Sequence, residues 1–227
     1  MPPSKYRIII KNQSGRHQDC SLFSGSPGPT NTSTTTFNTV LSSNASYPNS
    51  QVEFEIDARN YAVVGISRGT PGPGIKTHFN SRDVVVRSTR PNGTPIPGTT
   101  LSLIVSSNDP PSFTKGPPPE TNDPGTFEIV TSPNFTQDEA VTGNWLIGIG
   151  FDAGDGVKAA TAWTPVPNAD YIIIPQRIFY LALGKYTVGD IVDLSRTKSI
   201  MFNLDSYLYK GVIAIISDKK GRLTIEK

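Results

Sequence analysis

The side chains with the most promising chemistry lie in one stretch in the later half of the chain. Residues 171–194 read YIIIPQRIFYLALGKYTVGDIVDL, and this apolar run contains Gln176, Arg177, Tyr180 and Tyr186. An arginine in apolar surroundings must be paired, because an unpaired buried charge is costly. Its partner is either a carboxylate or the oxygen of a bound molecule that gains negative charge during a reaction, which a well-placed donor stabilises.

Aromatic side chains supply the second part of the predicted site. Both tryptophans and several tyrosines fall in the later half of the chain, on or near predicted strands. Packing in the core is their ordinary role, but rings that line a cavity also stack on a ligand, and their polar groups orient it. We predict Arg177 and Tyr186 as catalytic residues. The predicted substrate-binding residues are Trp145, Phe151, Trp163, Gln176 and Tyr180.

Two motifs match enzyme patterns but lack the context that those patterns need. Residues 65–69, GISRG, fit the nucleophile elbow, yet the TPGPG that follows cannot form the required helix. Ser67 is therefore expected at the end of a strand. Residues 148–153, GIGFDA, fit a dinucleotide fingerprint with Asp170 downstream, but no helix of sufficient length follows. Small residues that permit close packing in a strand explain this motif better.

No metal site is predicted either. Asp152 and Asp155 lack the ligand spacing and the closing glutamate of an EF-hand, so a hairpin turn is the better interpretation. The cluster at residues 17–20 has one remote partner, His78, which is too few ligands for zinc. We therefore expect no metal and no cofactor.

Composition narrows the class of partner. The net charge is only +2, with basic residues spread along the chain, so nucleic acid is an unsuitable partner. The sequence contains neither a signal peptide pattern nor an apolar run that would span a membrane. The single cysteine, Cys20, agrees with a reducing compartment. We expect a cytoplasmic protein that binds a small apolar or aromatic ligand; its oligomeric state stays open.

The elements that must position these side chains are short strands. Gly and Pro number 20 each, which leaves no room for long helices. The prediction is an all-β fold, with residues 1–227 forming a single antiparallel β-sandwich or jelly-roll-like domain of about a dozen strands. At most one short helix is expected, at residues 136–141, where Thr136 and Glu139 have the spacing of a capping box.

Several pairings follow from turn residues. Residues 178–183 are apolar on both faces, and residues 186–194 resume after Gly184 and Lys185, which predicts a central hairpin. Other predicted hairpins join residues 52–56 to 61–66, 144–151 to 157–163, and 212–216 to 223–225. Residues 24–50 and 106–125 are predicted to be mostly long loops that rim a ligand site.

Several segments of the chain also resemble known proteins. YRIIIKNQSG, SLFSGSP, YAVVGIS, WLIGIGF and IIIPQRIFYLALGKYTVGDIVDLS are similar to segments of small all-β fungal proteins without a named domain. The resemblance spans most of the chain, but these motifs are structural and carry no catalytic residue across. It implies a cofactor-free cyclase of the hetero-Diels–Alder type in a secondary-metabolite pathway, acting on a polyketide or terpenoid substrate.

The residues are compatible with this chemistry and with two others. A cycloaddition needs only a pocket that holds two π-systems in a reactive geometry and donors for the charge that develops. Aromatic stacking with Asn and Asp hydrogen bonds describes a sugar site equally well, so a lectin-like protein is the alternative. A structural or interaction module is the third. A deep apolar cavity would favour the cyclase, and a shallow polar groove the lectin.

Overall fold

A computed structural model describes residues 4–25, 27–106, 109–116, 123–207 and 211–226. These residues form nineteen strands, one α-helix and two 3-10 turns. The strands are β1 Lys5–Asn12, β2 Gln18–Ser24, β3 Thr36–Ser46, β4 Gln51–Asp57, β5 Asn60–Ser67, β6 Thr77–Val84, β7 Ser88–Thr89, β8 Pro95–Ile96, β9 Thr100–Ile104, β10 Ser112–Lys115, β11 Phe127–Thr131, β12 Trp145–Asp152, β13 Val157–Trp163, β14 Asp170–Ile173, β15 Ile178–Leu183, β16 Ile191–Val192, β17 Ser199–Asn203, β18 Val212–Ser217 and β19 Leu223–Ile225. The helix α1 is Gln137–Thr142, and the 3-10 turns are Leu194–Arg196 and Leu204–Tyr207.

The predicted all-β, sandwich-like fold is confirmed, with more strands than the expected dozen because several are only two to four residues long. The predicted helix is also present. Thr136 caps α1 by accepting a hydrogen bond from the Glu139 backbone N–H at 3.2 Å, while the Glu139 carboxylate accepts one from the Thr136 N–H at 2.6 Å. This reciprocal pair is the capping box that the spacing indicated.

The strands form one large sheet and two smaller ones. The large sheet has the order β17-β15-β2-β3-β13-β12-β5-β6, with β16 also paired to β3. The smaller sheets are β19-β18-β1-β4 and β10-β9-β11-β14, and β7 pairs with β8 separately. Most neighbouring strands are antiparallel, as predicted, and two pairs among the described strands, β1 with β18 and β9 with β11, are parallel.

Two apolar cores lie along the large sheet. The first joins the β1 sheet to β2, β15 and β17, where alternating residues such as Ile8 and Ile10 meet Leu22 and Phe179. The second joins the β9 sheet to β5, β12 and β13, around Trp163. Burial of each such side chain contributes about 1.5–3 kcal/mol, so these clusters carry most of the folding energy. The large sheet borders both cores.

The hairpins that were predicted from turn residues divide into two groups. The pairing of β12 with β13 and that of β18 with β19 are confirmed as antiparallel. The central hairpin was wrong: β15 pairs with β2 and β17, whereas the segment beyond Gly184 crosses to another part of the sheet, where β16 pairs with β3. The Gly184 N–H still donates to the Asp19 carbonyl of β2 at 2.7 Å, and the chain departs from β2 after this residue, whose φ is 143°. Such a φ favours glycine.

The hairpin predicted from residues 52–56 and 61–66 was also wrong. β4 pairs with β1, and β5 pairs with β12 and β6, so the two strands belong to different sheets. The two residues between them, Ala58 and Arg59, carry the chain from one sheet to the other. The Ala58 N–H still bonds to the Ser4 carbonyl at 2.9 Å, which extends the β1–β4 ladder up to the crossing.

Residues 24–50 are less of a loop than predicted, because β3 is an eleven-residue strand in the middle of the large sheet. The polar side chains of β3 are typical of a loop, which is why the sequence did not indicate this strand. Thr39 is fully buried and donates its hydroxyl hydrogen to the Ala159 carbonyl. The Thr161 hydroxyl likewise lies 3.1 Å from the Asn38 side-chain oxygen. Polar residues with partners inside a sheet are compatible with burial. In the predicted loop at 106–125, β10 is a strand, and residues 107–108 and 117–122 lie outside the described residues.

The large sheet curls strongly between β3 and β6. At the beginning of β6, the Thr77 N–H donates to the Gly189 carbonyl at 3.0 Å, and the Gly189 N–H donates to the Val40 carbonyl of β3 at 2.9 Å. Two glycines of this sheet lie where the neighbouring backbone is very close: a Cβ at Gly148 would lie 2.1 Å from the Thr161 carbonyl oxygen, and one at Gly65 would lie 1.8 Å from that of His78. The two glycine motifs therefore serve packing.

Candidate functional site

Two neighbouring strands of the large sheet, β2 and β15, present different surroundings on their two faces. Phe179 and Leu181 point into the first core. Tyr180 and Ala182 point the other way, and the register places Tyr180 opposite Phe23, which in turn lies opposite Val40. We call this second side the outer face.

A segment without long strands covers part of the outer face. Residues 184–197, which we call the cover segment, follow β15 and contain β16. Side chains from this segment pack against the cluster formed by Phe23, Val40 and Ala182. The side chains that do so are Tyr186, Val188, Val192 and Leu194.

A cleft of about 450 Å³ opens between the cover segment and the turn that contains Pro73 and Gly74. We call it the Tyr186 cleft. Its apolar lining comes from Val40, Pro73, Ile191 and Val192. Its polar lining comes from Tyr186, Thr187, Asp190, Asp193, Arg196 and Thr197. A lining that combines apolar side chains with polar groups is usual for a small-molecule site.

The position of Tyr186 in this cleft is fixed by its neighbours. Its ring meets that of Phe23 edge-on, with 5.0 Å between the ring centroids and an interplanar angle of 89°. This is a favourable geometry for two aromatic rings. Gly189, three residues later, bonds to β3 and to β6 at once, so the cover segment is tied to the sheet on two sides. The phenol is therefore presented on a well-supported backbone.

The charged residues of the cleft form a local network. The Asp193 carboxylate accepts hydrogen bonds from the Ser195 hydroxyl at 2.6 Å and from the Ser195 N–H at 3.0 Å. The Arg196 Nε lies 3.2 Å from the second Asp193 oxygen. The Ser195 hydroxyl, followed by the Ser195 N–H and the Arg196 charge, holds the pKa of Asp193 below its ordinary value. The Arg196 side chain is 88% exposed and is accessible to a ligand.

A second groove of about 590 Å³ contains Trp145. The half-buried indole meets Phe135 edge-on, with the ring centroids 5.6 Å apart. It also covers the end of α1, because a Cβ at Gly143 would lie 2.3 Å from the indole nitrogen. We call this the Trp145 groove. Its polar lining is Ser106, Asn134, Asp138, Glu139 and Thr142. It shares no lining residue with the Tyr186 cleft.

Two of the predicted binding residues are fully buried in different cores. Phe151 lies in the first core, with its ring centroid 5.3 Å from that of Phe179. Trp163 lies in the second core, 5.5 Å from the ring of Tyr171. Neither side chain has any exposed surface. The predicted residues are thus distributed over two grooves, two cores, the outer face at Tyr180 and the loop that precedes β15, and they do not meet in one site.

The predicted catalytic residue Arg177 lies on the loop between β14 and β15, beside half-buried Gln176. Its Nη1 is 3.0 Å from the Asp205 carboxylate, and its Nη2 donates to the Ala58 carbonyl. The guanidinium carbon lies 5.9 Å from the centroid of the Tyr6 ring. Of the two partners that the sequence allowed, the structure therefore shows the carboxylate. Arg177 does not line the Tyr186 cleft.

Several residues of the Tyr186 cleft were not predicted as site residues. Asp190, Asp193 and Arg196 follow Tyr186 closely, and Asp193 caps the 3-10 turn that places Arg196 at the rim. An Asp followed by a serine two residues later is a recognisable turn signal. Val40 and Pro73 are remote in sequence, and only the curl of the sheet brings them to the cleft.

The side chains that were considered as metal ligands do not form a cluster in the described part of the chain. Among the described residues, no three His, Cys, Asp or Glu side chains are close enough together to hold a metal ion. The Asp152 carboxylate accepts from the Gly154 N–H at 2.9 Å, as expected of a hairpin turn. No helix in the described part of the chain has the length and apolar character to cross a membrane.

Comparison of the chain with protein-family models, with curated proteins and with solved structures finds no match. The resemblance to small fungal proteins therefore stays a prediction from sequence segments. Function must be inferred from the clefts themselves.

Proposed function

We propose that the chain is a cofactor-free cyclase that orients a polyketide or terpenoid substrate for a (hetero-)Diels–Alder cycloaddition in the Tyr186 cleft. The observation that supports this proposal is that apolar side chains, a phenol and a guanidinium line the same cleft. Its volume of about 450 Å³ falls within the range of small-molecule sites.

For this cycloaddition the protein must position the two reacting groups and stabilise the charge that develops. Diene and dienophile react in one step once they are held in contact. Binding both in one cleft therefore uses binding energy to offset much of the entropic cost of bringing them together. A carbonyl oxygen on the electron-poor partner gains negative charge in the transition state. The Tyr186 hydroxyl donates to this oxygen, and Arg196 supplies positive charge beside it. A single donor of this kind contributes roughly 3 kcal/mol.

Tyr186→Phe tests the proposal, because it removes the hydroxyl and keeps the ring that contacts Phe23. With a quinone-methide and polyene pair as substrates, we expect turnover to fall about 100-fold. The thermal midpoint should change little. Tyr47→Phe is the matched control, since Tyr47 is 67% exposed and lies outside the cleft. Unchanged turnover in Tyr186→Phe would contradict the assignment of the donor.

A lectin-like function is the second candidate, and the Trp145 groove is the observation that favours it. The half-buried indole lies among the amide of Asn134 and the carboxylates of Asp138 and Glu139, which is the combination of stacking surface and hydrogen-bonding groups that sugars require. Titration with mono- and disaccharides, followed by tryptophan fluorescence, tests it. Binding that is lost in Trp145→Ala and kept in Tyr186→Phe would support the lectin.

A further inference from the structure

Two carboxylates line the Tyr186 cleft, and they differ in their partners within the protein. The Asp193 carboxylate accepts two hydrogen bonds from Ser195 and lies 3.2 Å from the Arg196 guanidinium. The Asp190 side chain is half-buried, and among the described residues its carboxylate has neither a hydrogen bond nor an ion pair. Because a buried or half-buried charge is costly without a partner, the Asp190 carboxylate is available to a ligand of the cleft.

Backbone contacts on both sides fix the direction of the Asp190 side chain. The Asp190 carbonyl accepts from the Val40 N–H of β3 at 3.0 Å, and the next residue, Ile191, pairs with Thr39. Directly opposite residues of an antiparallel pair point to the same side. The carboxylate therefore lies on the side of Val40, which lines the cleft. On its other side, Asp190 forms a bridge with Lys76, an exposed residue that does not line the cleft.

The charge of the cleft favours a cation as the partner of Asp190. The lining contains two carboxylates and one guanidinium, and the guanidinium is paired with Asp193, so one negative charge is in excess. Apolar neighbours such as Val40 and Ile191 reduce the screening of this charge by water. The Thr187 hydroxyl also lines the cleft and offers a further acceptor. An ammonium group has three donors, so it can bind both groups.

We propose that the substrate of the Tyr186 cleft carries a protonated amine, which donates to the Asp190 carboxylate while the carbonyl of the reacting part faces Tyr186 and Arg196. This inference rests on the proposed function, because it names a further group of the molecule that the cleft would bind for cyclisation. Two fixed contacts, one at each polar group of the substrate, would hold the molecule in a single orientation.

The test compares two probes of nearly equal shape, 1-naphthylmethylammonium and 1-naphthylmethanol, whose binding is measured by naphthalene fluorescence at pH 7, where the amine is protonated. We expect the ammonium to bind the unmodified protein about tenfold more tightly than the alcohol. Asp190→Asn keeps the shape of the side chain and removes its charge. It should abolish the preference for the ammonium and leave binding of the alcohol nearly unchanged.

Asp138→Asn is the matched control, because it removes the same charge from a carboxylate that lines the Trp145 groove. This variant should keep the preference for the ammonium. A preference that survives in Asp190→Asn, or that is lost equally in Asp138→Asn, would place the amine elsewhere and overturn the inference.

The outcomes also separate this inference from the proposed function. If both probes bind equally and Tyr186→Phe still loses turnover, the assignment of Asp190 is refuted and the cyclase stands. If the preference is lost only in Asp190→Asn while Tyr186→Phe keeps full turnover, the cleft binds amines and the cyclase assignment fails. If neither probe binds and Tyr186→Phe keeps full turnover, both proposals fail.

Discussion

The two faces of β2 and β15 belong to the same strands but are covered in different ways. On one face, Phe179 and Leu181 pack under a second sheet and are fully buried. On the other face, the cover segment packs over Phe23 and Ala182 and contains only the two-residue strand β16, and Tyr180 remains half-exposed. A sheet seals the face that it covers, whereas an irregular segment leaves clefts at its borders. The inner face is therefore sealed along both strands, whereas the outer face is buried at Phe23 and Ala182 and leaves the Tyr180 ring partly exposed.

The largest expected effect is on the inner face. Phe179→Ala removes a ring that contacts Phe151 and Phe202, and we expect a loss of about 3–5 kcal/mol in the free energy of unfolding. Tyr180→Ala, the next residue, should cost much less because its ring is half-exposed. Urea unfolding of both variants measures the difference. Equal losses in the free energy of unfolding would contradict the proposed difference between the two faces.

The buried thiol of Cys20 makes the stability of the inner face depend on pH. It is fully buried on the inner side of β2, and burial, with a smaller contribution from Asp19, raises its pKa from 9.0 to about 11. Below pH 9 the thiol is protonated in both states and pH has no effect through it. Above pH 9 the unfolded chain loses the proton first, so the free energy of unfolding falls until the pH passes 11. The loss is about 2–3 kcal/mol.

The measurement for Cys20 is urea unfolding between pH 8 and pH 11 in the unmodified protein and in Cys20→Ala. Tyrosines and lysines titrate equally in both proteins, so the difference in slope reports the thiol. The free energy of unfolding of Cys20→Ala should fall less as the pH rises. Identical slopes would show that the thiol is not held in its protonated form by the inner face.

Gly25→Ala tests how tightly the outer face is packed. Its Cβ would lie 2.1 Å from the Tyr180 ring, which must then move. Because the ring is the end of a flexible side chain, we expect a loss of only about 1 kcal/mol. In a Tyr180→Ser background, the same substitution should be nearly neutral. A double-mutant cycle measures this coupling, and its absence would mean that the ring is not held by Gly25.

The smallest expected effect is at Met201. Met201→Thr should change the free energy of unfolding by less than about 0.5 kcal/mol, as at other exposed positions. Ile200→Thr, the neighbouring residue on the same strand, should cost more, because Ile200 packs against the first core. The thermal midpoints of Met201→Thr and Ile200→Thr compare the two faces of β17 at adjacent residues. Equal midpoints would contradict the alternation.

The sequence allowed prediction of local elements better than of their neighbours. Alternating apolar residues identified β1 and β4, and the capping box located α1, because these signals lie within a few residues. The pairing of β15 with β2 depends on residues far apart in the chain, which a turn signal at Gly184 could not indicate. β3 was missed because its hydroxyl and amide groups find partners only inside the folded sheet.

The site residues show the same limit. Tyr186 and Trp145 line surface grooves as the aromatic pattern suggested, whereas Phe151 and Trp163 are sealed in cores. All four lie on or beside apolar strands, and periodicity shows that a face is apolar without showing what covers it. Arg177 illustrates the point, since its carboxylate partner Asp205 lies 28 residues further along the chain.

The parallel pairing of β1 with β18 has a consequence for synthesis of the chain on the ribosome. Arg7 lies opposite Val212, so one side of β1 stays unpaired until residues 212–217 have emerged. An unpaired strand edge invites association with other nascent chains. Charged side chains on β1, among them Lys5 and Arg7, which form ion pairs with Glu55 and Glu53 of β4, place charge beside that open edge. These charges would oppose aggregation through the open edge of β1 until β18 pairs with it.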